Sequence, residues 1–251
     1  MPQSPCLVLE NVSRSFGALK AVDGVSLTLH AGERQAVIGP NGAGKTTLFN
    51  LISGELPVTG GRIRLFGDDI TTRPPHRRAA LGIARTFQIT RLFPGLTVEE
   101  NALLACQALE VRKFSMLRPL AAHADLVERA RALLDRFGLA ALRREPARNL
   151  AYGDQRKLEV ALALAGRPRL LLLDEPMAGL SPAERAAMER LLHGLDRTMA
   201  VLLIEHDMDV AFRFAEHVIV LHQGAVLAAG PRDRIAADPR VQESYLGAHV
   251  E

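Results

Sequence analysis

The stretch Gly39-Pro40-Asn41-Gly42-Ala43-Gly44-Lys45-Thr46 decides the fold of this chain. Its spacing is G-x-x-x-x-G-K-[ST], the pattern of a loop that cradles phosphate groups. The glycines permit a backbone path that side chains would block, so that successive N–H groups can turn toward an anion. Lys45 adds a mobile positive charge for the β- and γ-phosphates, and the Thr46 hydroxyl can ligate Mg²⁺. The motif therefore predicts a nucleotide phosphate site.

The flanking sequence places this loop between a strand and a helix. Gln35–Ile38 is a short apolar run that is typical of a buried strand, and Thr47–Ile52 continues as a helix that ends at Gly54. The positive end of that helix is directed at the same anion. A glycine-rich turn without a ligand would need neither the lysine nor the threonine, so we include Gly39–Thr47 in the predicted site.

Two carboxylates follow a second apolar strand. Leu170–Leu173 is continuous leucine, and Asp174 and Glu175 come directly after it. Because burying an unpaired charge is costly, these side chains need a cation or a polar cleft. Beside the phosphate site, Asp174 would hold Mg²⁺ together with Thr46, and Glu175 would act on the attacking water as general base. The alternative is that both acids cap the next helix.

Three further residues near predicted strand ends each allow two interpretations. Phe16 lies in a turn and either covers a small core or stacks on an adenine ring. Gln88 ends the predicted strand Ile83–Gln88 and is either a surface residue or reaches the metal or the attacking water. His206 follows the apolar run Val201–Ile204 and is either a packing or surface residue or a contact of the γ-phosphate.

The remaining sequence alternates between strand and helix patterns, which predicts an α/β fold. The exception is the stretch from Thr97 to about Ala147, where the pattern is helical. It begins with the capping-box sequence Thr97–Glu100 and includes the amphipathic segment Asp125–Phe137. This stretch is either an inserted second lobe or one more helical layer. His217–Leu221 and Ala225–Ala228 resemble a terminal hairpin.

Composition limits the class of protein. The chain has 251 residues, of which 48% are hydrophobic and 24% charged, values that suit one large globular domain. A formal net charge of +3 gives little support for nucleic-acid binding. Cys6 and Cys106 match no metal or redox spacing, so we predict reduced packing residues. No apolar run approaches the roughly 18 residues that would cross a bilayer, so any action at a membrane requires a partner.

Together these residues resemble an ABC-transporter nucleotide-binding subunit, over about Leu7 to Leu246. The discriminating motif is Leu150-Ala151-Tyr152-Gly153-Asp154-Gln155 before a predicted helix, because other P-loop ATPases lack it. The resemblance implies a P-loop NTPase core with a mixed sheet flanked by helices. It also implies an N-terminal antiparallel β subdomain and an inserted α-helical subdomain. Residues 1–251 would form one domain, with 7–96 and 148–251 as the core plus β subdomain and 97–147 as the helical subdomain.

The resemblance also implies how the site works. In that family two ATP-binding subunits face each other, and the signature motif of one closes over the γ-phosphate that the other's P-loop holds. ATP and Mg²⁺ are the expected cofactors, and a second subunit completes each ATP site. Phe16 becomes the adenine stacker, Gln88 the sensor between Mg²⁺ and the membrane partner, and His206 the γ-phosphate switch.

Two positions depart from the family pattern. Ala151 stands where serine is usual, so one hydroxyl contact to the γ-phosphate of the facing subunit is missing. Ser181 stands where aspartate is common, in the loop that follows the predicted strand Leu170–Leu173 and the two acids Asp174 and Glu175. Since Glu175 is intact, we still expect hydrolysis.

Finer patterns resemble the branched-chain amino acid importers. The stretches with that likeness are Phe16–Asp23, Gly82–Gln88, Arg91–Val98, Ala151–Gln155 and Val241–Gly247. The implied partners are transmembrane permease subunits and, indirectly, a periplasmic solute-binding protein, with the chain at the cytoplasmic face of a bacterial inner membrane. Importers of this kind often pair two different ATPases, which favours a heterodimer.

Other functions stay open. The ATPase of a urea-type importer or a lipopolysaccharide exporter would share most of these motifs. A soluble ABC protein acting on ribosomes or DNA usually carries two nucleotide-binding domains or a coiled-coil insertion, and this sequence shows neither. A binding module without hydrolysis is disfavoured by Lys45 and Glu175.

Overall fold

A computed structural model describes residues 5–87, 92–110 and 123–246 of the chain. Its backbone divides into two compact units. The first takes Met1–Arg85, Arg169–Glu175 and Leu195–Glu251, and the second takes Thr86–Pro168 and Pro176–Gly194. The second unit includes the segment 97–147 that the sequence singles out, together with flanking chain on both sides. The subdomain boundaries given above stay a prediction.

The first unit contains an antiparallel sheet of four strands in the order β2-β1-β4-β5. The strands are β1 Pro5–Phe16, β2 Leu19–His30, β4 Gly60–Leu65 and β5 Asp68–Asp69. Leu7 faces Leu29 and Leu9 faces Leu27 across the β1–β2 pair. All four leucines are buried, so alternate positions of both strands line one core. Each of these two long strands, β1 and β2, has 12 residues.

The second sheet of this unit has six strands in the order β10-β9-β3-β8-β7-β6. They are β3 Arg34–Ile38, β6 Ile83–Arg85, β7 Leu170–Asp174, β8 Ala200–Ile204, β9 His217–His222 and β10 Ala225–Pro231. All neighbours run parallel except β10, which pairs antiparallel with β9 as the predicted terminal hairpin. The sheet is therefore mixed, in agreement with the predicted fold class.

The central strands of this sheet are buried along their whole length. Every residue of β7 and β8 is buried, which explains why both read as continuous apolar runs and not as alternating patterns. Because β3, β6, β7 and β8 are parallel, their carboxyl ends lie at one edge of the sheet. The residues that follow those ends are the ones that the sequence marks for chemistry.

In its described residues, the first unit has the helices α1 Lys45–Ser53, α2 Pro75–Ala80, α7 Met208–Phe214, α8 Arg232–Ala236 and α9 Pro239–Leu246. The carboxyl end of α1 is capped by a buried arginine. The Arg78 guanidinium donates to the carbonyl oxygens of Leu51 and Ile52 at 2.7 and 2.9 Å. A cation suits the negative end of a helix. Burial lowers the pKa of Arg78 to about 10.

The second unit is helical in the residues described. Its helices are α3 Val98–Gln107, α4 Ala124–Arg136, α5 Tyr152–Leu164 and α6 Pro182–His193, with short 3-10 turns at Ala140–Leu142 and Ala147–Asn149. Thr97 caps α3 with a complete capping box, as the sequence predicts, and Ser181 caps α6 with a second one. Over residues 5–87, 92–110 and 123–246, the helices lack the length and apolar character needed to cross a bilayer. Cys6 and Cys106 are free thiols and buried, as expected.

The capping box of α3 allows a test of this helix start. Thr97 Oγ1 accepts a hydrogen bond from the Glu100 N–H at 3.2 Å, and the Glu100 carboxylate accepts one from the Thr97 N–H at 2.7 Å. We expect Thr97→Ala to lower the free energy of unfolding by about 1 kcal/mol, measured by urea denaturation. Thr97→Ser keeps the hydroxyl and should cost much less. Equal losses in the two variants would contradict the capping role.

Candidate functional site

The loop after β3 has the conformation that its glycines predict. Gly42 and Gly44 adopt φ of 78° and 99°, in the left-handed region that favours glycine. A Cβ on Gly44 would also collide with the Ala21 carbonyl oxygen. The turn between β9 and β10 supports the loop from another side, because the Gly224 N–H donates to the Ala43 carbonyl at 3.1 Å. Two hairpins of the first unit thus hold the loop in shape.

Lys45 is the first residue of α1 and lies against its own loop. Its Nζ donates to the carbonyl oxygens of Gly39 and Pro40 at 2.7 and 3.0 Å, and the residue is 6% exposed. Burial lowers the pKa of Lys45, and the nearby charges of Glu175 and Asp174 oppose that shift. The loop, the lysine and both acids therefore share one electrostatic environment in the first unit.

The other residues of the predicted phosphate site lie in the same loop and in the first turn of α1. Asn41, Gly42 and Thr46 are exposed, whereas Gly39 and Ala43 are buried. Thr46 and Thr47 form the first turn of α1, where the backbone N–H groups lack partners within the helix. This end of α1 offers donors to an anion.

Asp174 ends β7 and is almost completely buried. Its side chain is 1% exposed, and its Oδ2 accepts from Arg85 Nη2 at 2.9 Å. Its place at the end of the strand rules out the alternative that it caps the next helix: α6 begins at Pro182, with Ser181 as its cap. The partner Arg85 was not expected from the sequence.

Glu175 follows directly, with an unusual backbone. Its φ is 47°, a left-handed conformation that costs a non-glycine residue on the order of 1–3 kcal/mol. Its N–H donates to the Ile204 carbonyl at 3.0 Å, which ties the residue to the end of β8. Such strain is concentrated at functional sites.

His206 lies beyond the end of β8 and is open to solvent. Its side chain is 58% exposed, and its Nδ1 lies 3.9 Å from Oε2 of Glu205, whose side chain is 1% exposed. This exposure of His206 excludes a packed core residue, and the interpretations as a surface residue and as a γ-phosphate contact stay open. Glu205 N–H in turn donates to the Val37 carbonyl at 3.3 Å, just before the phosphate loop.

Phe16 is the last residue of β1 and is 45% exposed. Its exposure excludes the interpretation that it covers a core. One face of its ring is taken by the guanidinium of Arg14, whose Cζ lies 4.6 Å from the ring centroid. Arg14 Nη1 is itself held by the Pro57 carbonyl at 3.0 Å. Gln88 lies outside the described residues.

The motif Leu150–Gln155 opens α5 in the second unit. The helix starts at Tyr152, within the motif, and Ala151 is its N-cap without a side-chain oxygen. Asp154 pairs with Lys157 at 2.9 Å, and Gln155 Nε2 donates to the Leu150 carbonyl at 2.9 Å. The start of α5 therefore presents main-chain N–H groups without a side-chain cap.

Two contacts attach this motif to the loop that precedes α6. The Tyr152 hydroxyl donates to the Ala178 carbonyl at 3.1 Å. Gly153 lies so close to Glu184 that an added Cβ would collide with its carboxylate. Gly153 has no positive φ, so the constraint there is one of space, and a side chain at this position would displace the Glu184 carboxylate. Tyr152 and Glu184 thereby fix where the helix start lies within the second unit.

Arg85 and Glu205 are the charged residues of the sheet edge that sequence reasoning missed. Arg85 ends β6 and Glu205 directly follows β8, and both are nearly buried, with side-chain exposures of 5% and 1%. The signal was present, because a charge at the end of a buried strand needs a partner, as it did for Asp174. The partners of Arg85 are distant in sequence, so the strand pattern alone could not identify them.

Fold and site together define a P-loop nucleotide-binding protein. Comparison with known proteins narrows the class. The profile of the ABC transporter family matches residues 22–178. The high-affinity branched-chain amino acid transport ATP-binding protein BraF of Pseudomonas aeruginosa is 40% identical over 250 residues, covering 97% of this chain and 98% of that protein. This chain therefore belongs to the ABC transporter family, whose ATP-binding subunits couple ATP hydrolysis to transport.

Solved structures agree. An ATP-binding cassette of an ABC transporter, solved in its ADP conformation, is 31% identical in sequence to this chain. The two structures match with a TM-score of 0.86 over 98% of this chain and all of that one. A dimeric cassette in a post-hydrolysis state, bound to ADP and phosphate, is 26% identical, with a TM-score of 0.77 over 90% of this chain and 98% of that one.

The contact between Gly153 and Glu184 generates a test of the second unit. The Glu184 carboxylate accepts hydrogen bonds from Ser181 N–H and Oγ at 2.9 and 2.6 Å, so displacing it breaks the reciprocal half of the capping box of α6. We expect Gly153→Ala and Glu184→Ala each to lower the unfolding free energy by about 1 kcal/mol. The double variant should cost clearly less than the sum, because the clash is gone. Additive losses in urea denaturation would contradict the contact.

Proposed function

We propose that this chain is the ATP-binding and ATP-hydrolysing subunit of a bacterial importer of branched-chain amino acids. The observation that supports it most is the buried Lys45 of the phosphate loop. The charges of Glu175 and Asp174 lie near enough to this lysine to oppose the lowering of its pKa by burial. Near full-length similarity to a protein named for branched-chain amino acid transport supplies the solute class.

ATP is held by the loop Gly39–Thr47. The N–H groups of the loop and of the first turn of α1 bind the phosphates, and Lys45 exchanges its loop carbonyls for phosphate oxygens. Phe16 stacks on the adenine ring with the face that Arg14 leaves open, since Arg14 lies over the other face.

The residues present suit Mg²⁺. Thr46 and Asp174 offer a hydroxyl and a carboxylate, the hard oxygen donors that Mg²⁺ takes in small number beside substrate phosphates. Thr46 is exposed at the start of α1, and α1 packs against β7, which ends at Asp174. Mg²⁺ supplies charge neutralisation at the β- and γ-phosphates when bound. Gln88 is assigned to the same site by family resemblance alone.

Glu175 is the general base. Glu175 directly follows Asp174 and has a left-handed backbone conformation. We assign it to take a proton from the attacking water. His206 contacts the γ-phosphate from the end of β8, with its imidazole open to solvent and Glu205 behind it.

A second ATP-binding subunit completes each site. The residues Ala151–Gln155 present the start of α5 to the γ-phosphate bound by the facing subunit, with the main-chain N–H groups as donors. The similar cassette solved as a dimer with ADP and phosphate supports this arrangement. Ala151 contributes no hydroxyl, so Gly153 and the helix amides carry the contact. A heterodimer with a related ATPase is the favoured form.

The subunit acts at the cytoplasmic face of the inner membrane through transmembrane permease partners. A periplasmic solute-binding protein delivers the amino acid on the opposite side. ATP binding closes the dimer, and hydrolysis reopens it, so that the permease alternates between its two states.

Glu175→Gln tests the general base. We expect ATP binding to persist and phosphate release to fall at least about 100-fold, because proton transfer in the transition state is lost. Size-exclusion chromatography with ATP should show a persistent dimer. Lys45→Ala is the matched control, in which binding of a fluorescent ATP analogue is lost as well. Full turnover in Glu175→Gln would exclude the assigned role.

The solute is tested by uptake in cells. Deleting the gene should lower uptake of labelled leucine, isoleucine and valine, and the intact chain should restore it while Glu175→Gln should not. The reason is that transport depends on turnover in this subunit. Unchanged uptake of these amino acids together with lost urea uptake, or with a defect in lipopolysaccharide export, would assign the subunit to another transporter.

A further inference from the structure

Arg85 is a buried cation that the proposed chemistry leaves without a role. It is the last residue of β6, and its side chain is 5% exposed. Nη2 donates to Asp174 Oδ2 at 2.9 Å, and Nη1 donates to Asn50 Oδ1 at 2.6 Å and to Ser53 Oγ at 3.0 Å. One planar group therefore contacts a carboxylate, an amide and a hydroxyl.

These contacts join three elements of the first unit. Arg85 belongs to β6, Asp174 ends β7, and Asn50 and Ser53 lie one turn apart on α1. The helix α1 begins at the phosphate loop, so the guanidinium connects the two parts of the site that would hold the metal. Because a buried charge is tolerated only with good hydrogen-bond geometry, this arrangement permits little movement.

We propose that Arg85 is a positioning residue of the ATPase site. By engaging Oδ2, it fixes the orientation of the Asp174 carboxylate relative to α1, and so the geometry in which Asp174 and Thr46 receive Mg²⁺. The inference rests on the proposed function, since it names a residue that serves that site. Arg85 contacts neither substrate nor metal and acts through Asp174.

The rigid fork of arginine is essential to this role. Its nitrogens lie in one plane with fixed angles, so three directed hydrogen bonds can be made at once. A lysine keeps the charge near Asp174 but offers a single nitrogen, which cannot reach α1 and the carboxylate in the same geometry. Arg85→Lys therefore separates positioning from charge.

Arg78 provides a matched control. It is a buried arginine of the same unit, and it also holds the carboxyl end of α1. Its other hydrogen bonds reach the carbonyl oxygens of Arg73 and Thr71. If Arg85 merely anchors α1, then Arg78→Lys and Arg85→Lys must behave alike.

The experiment compares these two variants with the unaltered chain. Thermal unfolding, affinity for a fluorescent ATP analogue in EDTA, and the Mg²⁺ concentration for half-maximal hydrolysis are measured for each. We expect both variants to unfold at lower temperature and to bind the analogue in EDTA within about 3-fold of the unaltered chain. Arg85→Lys alone should need about 10-fold more Mg²⁺, the range typical of residues that orient metal ligands.

Equal Mg²⁺ requirements in the two variants would overturn the inference. Asn50→Ala is a second, milder variant, which removes one α1 acceptor while the ion pair with Asp174 remains. This variant should raise the Mg²⁺ requirement by a smaller factor. If Arg85→Lys does not fold, an unchanged Mg²⁺ requirement in Asn50→Ala would overturn the inference. Absence of ATP binding and hydrolysis in the unaltered chain would instead refute the proposed function.

Discussion

The balance of charge at the carboxyl edge of the six-stranded sheet is the constraint on which the first unit depends. Lys45 and Arg85 are both nearly buried, and each lies in the field of the acids at the end of β7. Isolated charges at such depth would be very costly. The parallel strands β3, β7 and β6 bring the two cations and the two acids to the same edge of the sheet. The strand order therefore determines which charges can compensate one another.

The start of helix α5 in the second unit has no side-chain cap of its own. Ala151 supplies no side-chain oxygen, and Asp154 is engaged with Lys157. The helix start is instead fixed by its neighbours, through the hydrogen bond from Tyr152 and the close approach of Gly153 to Glu184. Rigidity here comes from packing, which leaves the main-chain donors available.

Local patterns predicted much of this. The phosphate loop, the strands β7 and β8, the caps at Thr97 and Ser181 and the terminal hairpin all carry their signals within a few residues. What escaped prediction depends on distant partners. The β1 and β2 strands exceed their apolar cores because pairing continues past bulges, including Asn11 with φ of 49°. Arg85 meets Asn50 and Asp174 only after folding, so no local pattern reveals it.

The two hydrogen bonds of Lys45 to the carbonyl oxygens of Gly39 and Pro40 join its ammonium group to the start of its own loop. In the function proposed above, phosphate oxygens would have to compete with these two internal acceptors. Part of the binding free energy of a phosphate would then be offset by the loss of the lysine's own hydrogen bonds.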